Sequence, residues 1–314
     1  YVLSWPIRGW RYADILSALG YRERAGFLTG AIFISQTGNL VFPARAGDAV
    51  RAYVVKARRK VPYTTGFASL AVERVFDLLT ITLLAGGVLL GMALLVPEQV
   101  GALSRTLFEG VGLSGDQQES AQTAVVVASV VGLGAIGAVV AIVLSARSET
   151  NRIRGLVEWA SEDSYVEFVA TILERFVSDV QRVAAEPRSF TRVGVASLAI
   201  WVIDVVTALI VFLAFGITVP LGLLLAVSFF AVSVGNLAKV LPLSPGGIGL
   251  YEAAFTVLVV AMTPVAPAVA LGAAIVDHGV KNVITVLGGA ASMVLLNVSL
   301  TEAMHGTAET PDAP

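Results

Sequence analysis

The chain has 314 residues, a formal net charge of −2 and no cysteine; 56% of it is hydrophobic and only 14% charged, against roughly 25% charged in a soluble domain. These figures exclude a soluble globular enzyme, nucleic-acid binding, disulfides, thiolate catalysis and zinc–thiolate centres. Two histidines, His278 and His305, are too few for a histidine-rich metal site, so neither metal nor cofactor is expected.

The composition is that of a multi-pass protein of the cell membrane. Residues 1–24 interleave Trp5, Trp10 and Tyr12 with Arg8, Arg11, Arg22 and Arg24, a pattern expected of a segment at the headgroup interface. The chain begins at Tyr1 and reads there as mid-protein, so at least one membrane segment is expected before it. Residues 25–44 are apolar but interrupted by Gly38, Asn39 and Pro43. Residues 45–60 carry six basic side chains (Arg45, Arg51, Lys56, Arg58, Arg59, Lys60) against Asp48 alone, which places them on the cytoplasmic side. With basic segments on both flanks, 25–44 is expected to enter the membrane and return as a re-entrant hairpin.

Residues 64–96 form a long span that contains Glu73, Arg74 and Asp77. An acidic outward loop is expected over 97–120 and an uncharged span over 121–146. A cytoplasmic amphipathic segment over 147–191 is opened by a capping box at 164–167. Residues 192–216 cross again with Asp204 inside. Residues 220–263 are broken by Pro242, Pro245, Gly246, Gly247 and Gly249, which predicts a second re-entrant hairpin. Such irregular backbone is tolerated at membrane depth only where it is buried in protein or lines a cavity. Residues 267–298 are the last span, with Asp277, His278 and Lys281, and 301–314 is a polar tail expected to be disordered.

Two stretches read alike: GNLVFPARAG from Gly38 and GNLAKVLPLSPGG from Gly235. Each is followed by a long span with ionisable residues at i, i+1 and i+4, Glu73-Arg74-Asp77 in one and Asp277-His278-Lys281 in the other. The first triplet span starts inside and the second outside. The fold class predicted is therefore an all-α polytopic membrane protein with inverted repeats, about 25–96 and 220–298, in a single membrane domain of 1–300. That is a plan common among transporters.

Ionisable groups within membrane segments are rare and usually functional. Arg74 keeps its charge at any accessible pH and can fork onto a phosphate, with Asp77 as its partner when the site is empty; the alternative is a structural ion-pair cluster of Glu73, Arg74 and Asp77. Asp277 and Lys281 suit a coupling site or a structural pair. His278 suits packing or a proton switch, and Asp204 needs a partner across the bundle. Asn39 and Asn236 are read as helix C-caps or, because they recur, as ligands. The backbone around Gly246–Gly249 is expected to offer freed amides and a positive helix end to an anion.

Three motifs, NLVFPARAGDAVRAY (39–53), AVERVFDLL (71–79) and LPLSPGGIGLYEAA (241–254), resemble those of the flippase-like membrane domain family, the lysylphosphatidylglycerol synthase transmembrane region. The resemblance rests on Asn39, Pro43, Arg45, Gly47, Asp48 and Arg51; on Glu73, Arg74 and Asp77; and on Pro242, Ser244, Pro245, Gly246, Gly247, Gly249 and Glu252. It implies movement of lipids between leaflets. Similar domains flip aminoacylated phosphatidylglycerol in bacterial multiple-peptide-resistance proteins, and in archaea follow a dolichol-phosphate glycosyltransferase domain. Two departures are the missing first span, and Asp277 and His278 where an arginine-bearing segment is expected.

The reading is a translocator of an anionic phospholipid or polyprenyl phosphate. Asn39, Arg45, Asp48, Arg51, Glu73, Arg74, Asp77, Asn236, Lys239, Ser244, Gly246, Gly247 and Glu252 form its headgroup site, and Asp204, Asp277, His278 and Lys281 its coupling groups. The alternative is a non-transporting anchor or assembly partner for a glycosyltransferase. No catalytic constellation is visible, so an intramembrane enzyme is the weakest reading.

Overall fold

The computed structural model describes residues 1–42, 45–95, 186–239 and 244–301, with Leu133 and Gly137 as isolated helical positions. The expected outer loop 97–120, the span 121–146, the capping box at 164–167, most of 147–191 and the tail beyond 301 lie outside the described residues. Among the described residues every regular element is helical: α1 (Ser4–Ala18), α2 (Ala25–Val41), α3 (Gly47–Arg59), α4 (Tyr63–Leu95), α5 (Pro187–Ala214), α6 (Leu221–Ala238), a 3-10 turn (Pro245–Gly247), α7 (Leu250–Met262) and α8 (Pro267–Leu296). Among the described residues five helical stretches are long and apolar enough to cross a membrane: α4, α5, α6, Pro245–Met262 and α8.

The side-chain pattern of α5 is inside-out. Val195, Leu198, Val202, Val206, Ile210 and Leu213 form an exposed stripe at helical spacing, while Ser197 and Asp204 lie on the buried face. A water-soluble helix shows the opposite arrangement. An apolar exterior with Ser197 and Asp204 turned in among otherwise apolar buried residues is stable when the solvent is hydrocarbon. α5 starts at Pro187, where a missing N–H costs nothing, and ends at Gly216, whose φ of +67° is the left-handed residue of a Schellman closure (Ile217 N to Phe212 O, 3.0 Å). α1 ends the same way at Gly20, φ +95° (Tyr21 N to Leu16 O, 2.8 Å).

α1 is not a surface segment. Trp5, Tyr12, Ile15 and Leu16 are buried, and the helix packs on α2 and α5. Its aromatic and basic residues mimic an interfacial belt in composition, but Arg11 points inward.

The turn expected within 25–44 is also displaced. α2 runs unbroken to Val41, and the returning arm is the basic helix α3. The arms close because Gly47 carries no side chain: a Cβ there would sit 2.0 Å from the Ser35 carbonyl oxygen. At the open end Arg59 pairs with Glu23 at 3.2 Å and covers Phe27, so α3 returns to the side where α2 begins. Val50, Val54 and Val55 bury one face of α3, which hides its helical period inside a run rich in charge.

α6 and α7 form the second helical hairpin, and α8 packs on α7 and crosses α2, where the Thr37 hydroxyl donates to the Thr285 carbonyl at 3.1 Å. Asn39 and Asn236 lie inside α2 and α6, not at their caps. Among the described residues two large apolar cores form, one joining α1, α2 and α3, the other α5, α6, α7 and α8, with smaller clusters where α4 meets α1 and α5 and where it meets α6. The hairpin turns meet between the two large cores, since a Cβ on Gly246 would lie 2.4 Å from Leu40 Cδ2.

Candidate functional site

A cavity of about 540 Å³ opens where the two turns meet. Of the sequence-predicted residues, Asn39, Arg45, Glu73, Arg74, Asp77, Asn236, Lys239, Ser244, Gly246, Asp204 and Lys281 line it. Asp48, Arg51 and Asp277 stand directly behind, bonded to lining residues. Glu252 and His278 pair with each other one step further out, and Gly247 backs onto the Lys239 side chain.

The first half of the site is a network of arginines and carboxylates. Arg11, 1% exposed, reaches Glu73 at 2.8 Å and Asp77 at 2.6 Å, and donates to the Ser197 hydroxyl at 2.9 Å. Arg51, wholly buried, meets the other Glu73 oxygen at 2.9 Å and lies over the Tyr12 ring. Asp48 accepts from Asn39 at 3.1 Å and from Arg45 at 3.3 Å. Arg74 is the loose member: 40% exposed, it stands 3.5 Å from Asp77 and 4.0 Å from Asp48. Arg45 sits at φ +58°, a rare conformation for a side-chain-bearing residue, at the first turn.

The second half repeats this placement with different chemistry. Tyr251 stands four residues after Gly247, as Arg51 does after Gly47, and donates to Asp277 on the long helix at 2.6 Å. Lys281 also donates to Asp277, at 2.9 Å. His278 stacks on Tyr251 with ring centroids 4.4 Å apart, and its Nδ1 lies 2.6 Å from Glu252. Lys239 Nζ lies 4.8 Å over the Tyr251 ring and has no carboxylate partner among the described residues.

The expectation that freed glycine amides capture an anion needs correction. The Gly247 and Ile248 amides donate to the Ser244 and Pro245 carbonyls, and the Gly249 amide donates to Glu252 at 2.6 Å. Glu252 thereby caps α7 itself and occupies the helix end. Gly246 and Gly247 serve close approach instead: with φ of +63° and +71°, they admit Leu40 and Lys239 where a Cβ would clash. The cationic side chains Lys239 and Arg45 line the cavity, with the Ser244 hydroxyl and Asn39 carbonyl, buried and unpartnered among the described residues, beside them.

Sequence reasoning missed Arg8 and Arg11. Arg8 pairs with Asp204 at 3.6 Å, the cross-bundle partner that the sequence could not name. Their spacing of three on a helix was a usable signal, masked by the interfacial reading of the segment. Gln36, Asn282 and Trp201 also line the cavity and have no motif. Among the described residues no set of three His, Asp or Glu side chains converges as a metal site.

The charge count is uneven. Arg8, Arg45, Arg74, Lys239 and Lys281 line the cavity with Glu73, Asp77 and Asp204. Arg11, Arg51, Asp48 and Asp277 are bonded to these. Among the described residues that makes seven cations against five carboxylates, an excess of two before the Glu252–His278 pair behind them is counted.

The family model of the lysylphosphatidylglycerol synthase TM region matches residues 1–289. The chain is 61% identical over 314 residues to a Haloferax volcanii protein named Glycosyltransferase AglD, a match covering 99% of this chain and 50% of that protein. It thus spans about half the length of that relative. It is 25% identical over 261 residues to a UPF0104 membrane protein of Methanothermobacter thermautotrophicus, covering 80% of this chain and 68% of that one. No solved structure matches.

Proposed function

We propose that this chain, which belongs to the lysylphosphatidylglycerol synthase transmembrane-region family, is a flippase that carries the anionic headgroup of a lipid, a phospholipid or a polyprenyl phosphate, across the membrane. The observation that carries this reading is the cavity between the two hairpin turns, with an excess of two cations in and around its lining and a Lys239 that has no carboxylate partner, both among the described residues. A buried positive excess is unfavourable when empty and favourable when an anion fills it. A lysyl-type cationic headgroup would add to the excess; a phosphate would offset it. Acyl or isoprenoid tails would remain in the bilayer against the apolar exterior of α5 and α8.

The order of elements supports inverted repeats with re-entrant hairpins. A helix closed by Gly20 or Gly216, a first arm bearing Gly-Asn-Leu, a return arm and a long charged helix occur twice in sequence. The repeat thus extends to α1 and α5. Rocking of one half on the other would expose the cavity to each side in turn.

The test is headgroup movement in proteoliposomes, read by quenching of labelled phospholipid or polyprenyl phosphate with an impermeant reductant. Wild type should accelerate loss of protected signal. Lys239→Gln and Arg74→Ala should slow it roughly tenfold each, the loss of one charge-assisted contact. Lipid movement equal in wild type and in the double variant would sink the proposal.

A second reading is favoured by one finding, the glycosyltransferase name of a relative twice this chain's length. In it the domain anchors or assembles with a glycosyltransferase and moves nothing. Co-purification with such an enzyme, with no intrinsic movement of any lipid, would select it.

A further inference from the structure

The two halves of the site differ in one respect that matters for energy coupling. In the first half every cation is an arginine: Arg11, Arg45, Arg51 and Arg74. Guanidinium groups keep their charge at any physiological pH. In the second half the equivalent places hold Tyr251, Glu252, Asp277, His278 and Lys281. Asp277 accepts from both Tyr251 and Lys281 on Oδ2, held as an anion beside a cation, with its buried Oδ1 unpartnered among the described residues. His278 has a ring nitrogen unpartnered among the described residues, in a group that itself changes charge near neutral pH.

The Glu252 carboxylate accepts the Gly249 amide through Oε2 and faces His278 Nδ1 at 2.6 Å through Oε1. With Glu252 ionised and accepting the backbone donor on one oxygen, Nδ1 carries the imidazole hydrogen and donates to the other. Nε2 is then a bare lone pair. It is fully buried and has no partner among the described residues. An imidazole is the one side chain whose charge changes near neutral pH without perturbation.

Resting on the headgroup reading above, we propose that His278 Nε2 is the site of a transported proton, and that proton and anionic headgroup bind with positive cooperativity. With His278 neutral, Glu252 offsets one of the two surplus cations of the cavity. A proton on Nε2 makes the His278–Glu252 pair neutral and restores the full excess. The Tyr251 ring links the two sites: Lys239 Nζ lies 4.8 Å over it and the His278 ring stacks on it at 4.4 Å. An anion drawn to Lys239 therefore favours a cation at His278, and the reverse holds by linkage. Moving a proton with a phosphate also reduces the net charge carried through the bilayer.

The charges facing His278 come from every helix around it. α7 gives Tyr251 and Glu252, and α8 gives Asp277 and Lys281. The end of α6 gives Lys239, and Asp204 of α5 stands beyond, paired with Arg8 of α1. α2, which packs on α8, contributes no ionisable side chain. Glu252 also ties the pair to Gly249, so proton occupancy is felt at the second hairpin turn.

His305 is the other histidine of the chain, so His305→Gln leaves a single imidazole to observe. That protein, in nanodiscs, would be followed by nitrogen-15 histidine spectra from about pH 5 to 8, the window of the side chain, with a short polyprenyl phosphate or the uncharged polyprenol. We expect Nε2 to take up a proton in this window, with its midpoint raised by the phosphate and not by the alcohol. The phosphate should bind on the order of tenfold more tightly at the acid end, and His278→Gln should remove that pH dependence. An imidazole that keeps one protonation state throughout, or a midpoint indifferent to the phosphate, would overturn the proposal without recourse to any variant at position 278. Phosphate lipid that binds equally at all pH values defeats the coupling alone; lipid that binds at none defeats the headgroup reading as well.

Discussion

Glu73→Gln should unfold the first half of the site through one particular partner. Glu73 is 5% exposed and is shared by two guanidinium groups, Arg11 at 2.8 Å and Arg51 at 2.9 Å. At such burial the estimate for exposed ion pairs does not apply, and removing one member of a buried pair costs about 3–5 kcal/mol. The loss is not divided evenly. Arg11 retains Asp77 at 2.6 Å and Ser197 at 2.9 Å. Arg51 retains nothing bonded: its Nε and Nη2 already lack partners among the described residues. Glu73→Gln should therefore lower the melting temperature in detergent by roughly 10 °C. Adding Arg51→Leu should recover most of that loss, because it removes the buried charge left without its partner. Adding Arg11→Leu should recover much less. Equal rescue by the two leucines, or a Glu73→Gln protein that melts with wild type, would refute the assignment of Arg51 as the stranded charge.

Gly47→Val should block assembly of the first hairpin, because its Cβ would fall 2.0 Å from the Ser35 carbonyl oxygen, and backbone cannot yield as a side chain can; a monodisperse, folded Gly47→Val protein on gel filtration would contradict the close packing of α2 and α3. The absence of cysteine makes disulfide trapping direct. In Leu40→Cys with Gly246→Cys, the one close side-chain atom, Leu40 Cδ2, is removed, and the new Cβ would lie 3.4 Å from the Leu40 Cα, within reach of a disulfide. Rapid oxidation that also halts lipid movement is expected, and failure to cross-link under oxidant would mean that the two turns do not meet.

The fold was legible wherever one periodicity dominated. The apolar runs of α4, α5 and α8 begin and end within a few residues of their expected limits, since length and hydropathy alone decide a spanning helix. The breaks at Pro245 to Gly249 were legible because glycine adopts at least cost the positive φ values of Gly246, Gly247 and Gly249. What stayed hidden was amphipathic structure within charged segments. α3 reads as a basic loop until Val50, Val54 and Val55 are seen to share one buried face with Arg51. α1 reads as an interfacial belt because composition cannot say which way Arg11 points. The ion pairs followed the same rule. Arg74 with Asp77 and Lys281 with Asp277 lie on one helix and could be anticipated from spacing. Arg8 with Asp204 and Arg11 with Glu73 join helices far apart in sequence, and no local pattern encodes them.

In the proposed rocking motion, the same long-range pairs favour the second hairpin as the moving part. Arg11 binds α1 to two residues of α4 and to Ser197 of α5, and Arg51 ties α3 to the same Glu73. The first hairpin is thus tied to α4 by the buried Arg51–Glu73 pair, and Arg11 joins the same carboxylate to α1 and α5. Among the described residues the turn of the second hairpin makes its strong polar contacts with α8: Tyr251 to Asp277 and Glu252 to His278. Among the described residues no ion pair joins α6 or α7 to α4 or α5. A rocking motion that opens the cavity should therefore carry α7 with α8 and leave α3 in place. Charge-assisted hydrogen bonds contribute about 1.5–3 kcal/mol each, so local opening at the first turn of α7 should be ten- to a hundredfold more frequent than at the first turn of α3. Hydrogen exchange in nanodiscs reads this directly. Amides of 250–254 should exchange faster than those of 48–52, and a bound phosphate lipid should slow the former more. Faster exchange in α3 than in α7 would assign the motion to the other hairpin, and with it would fall the argument that the arginine network is the fixed half of the site.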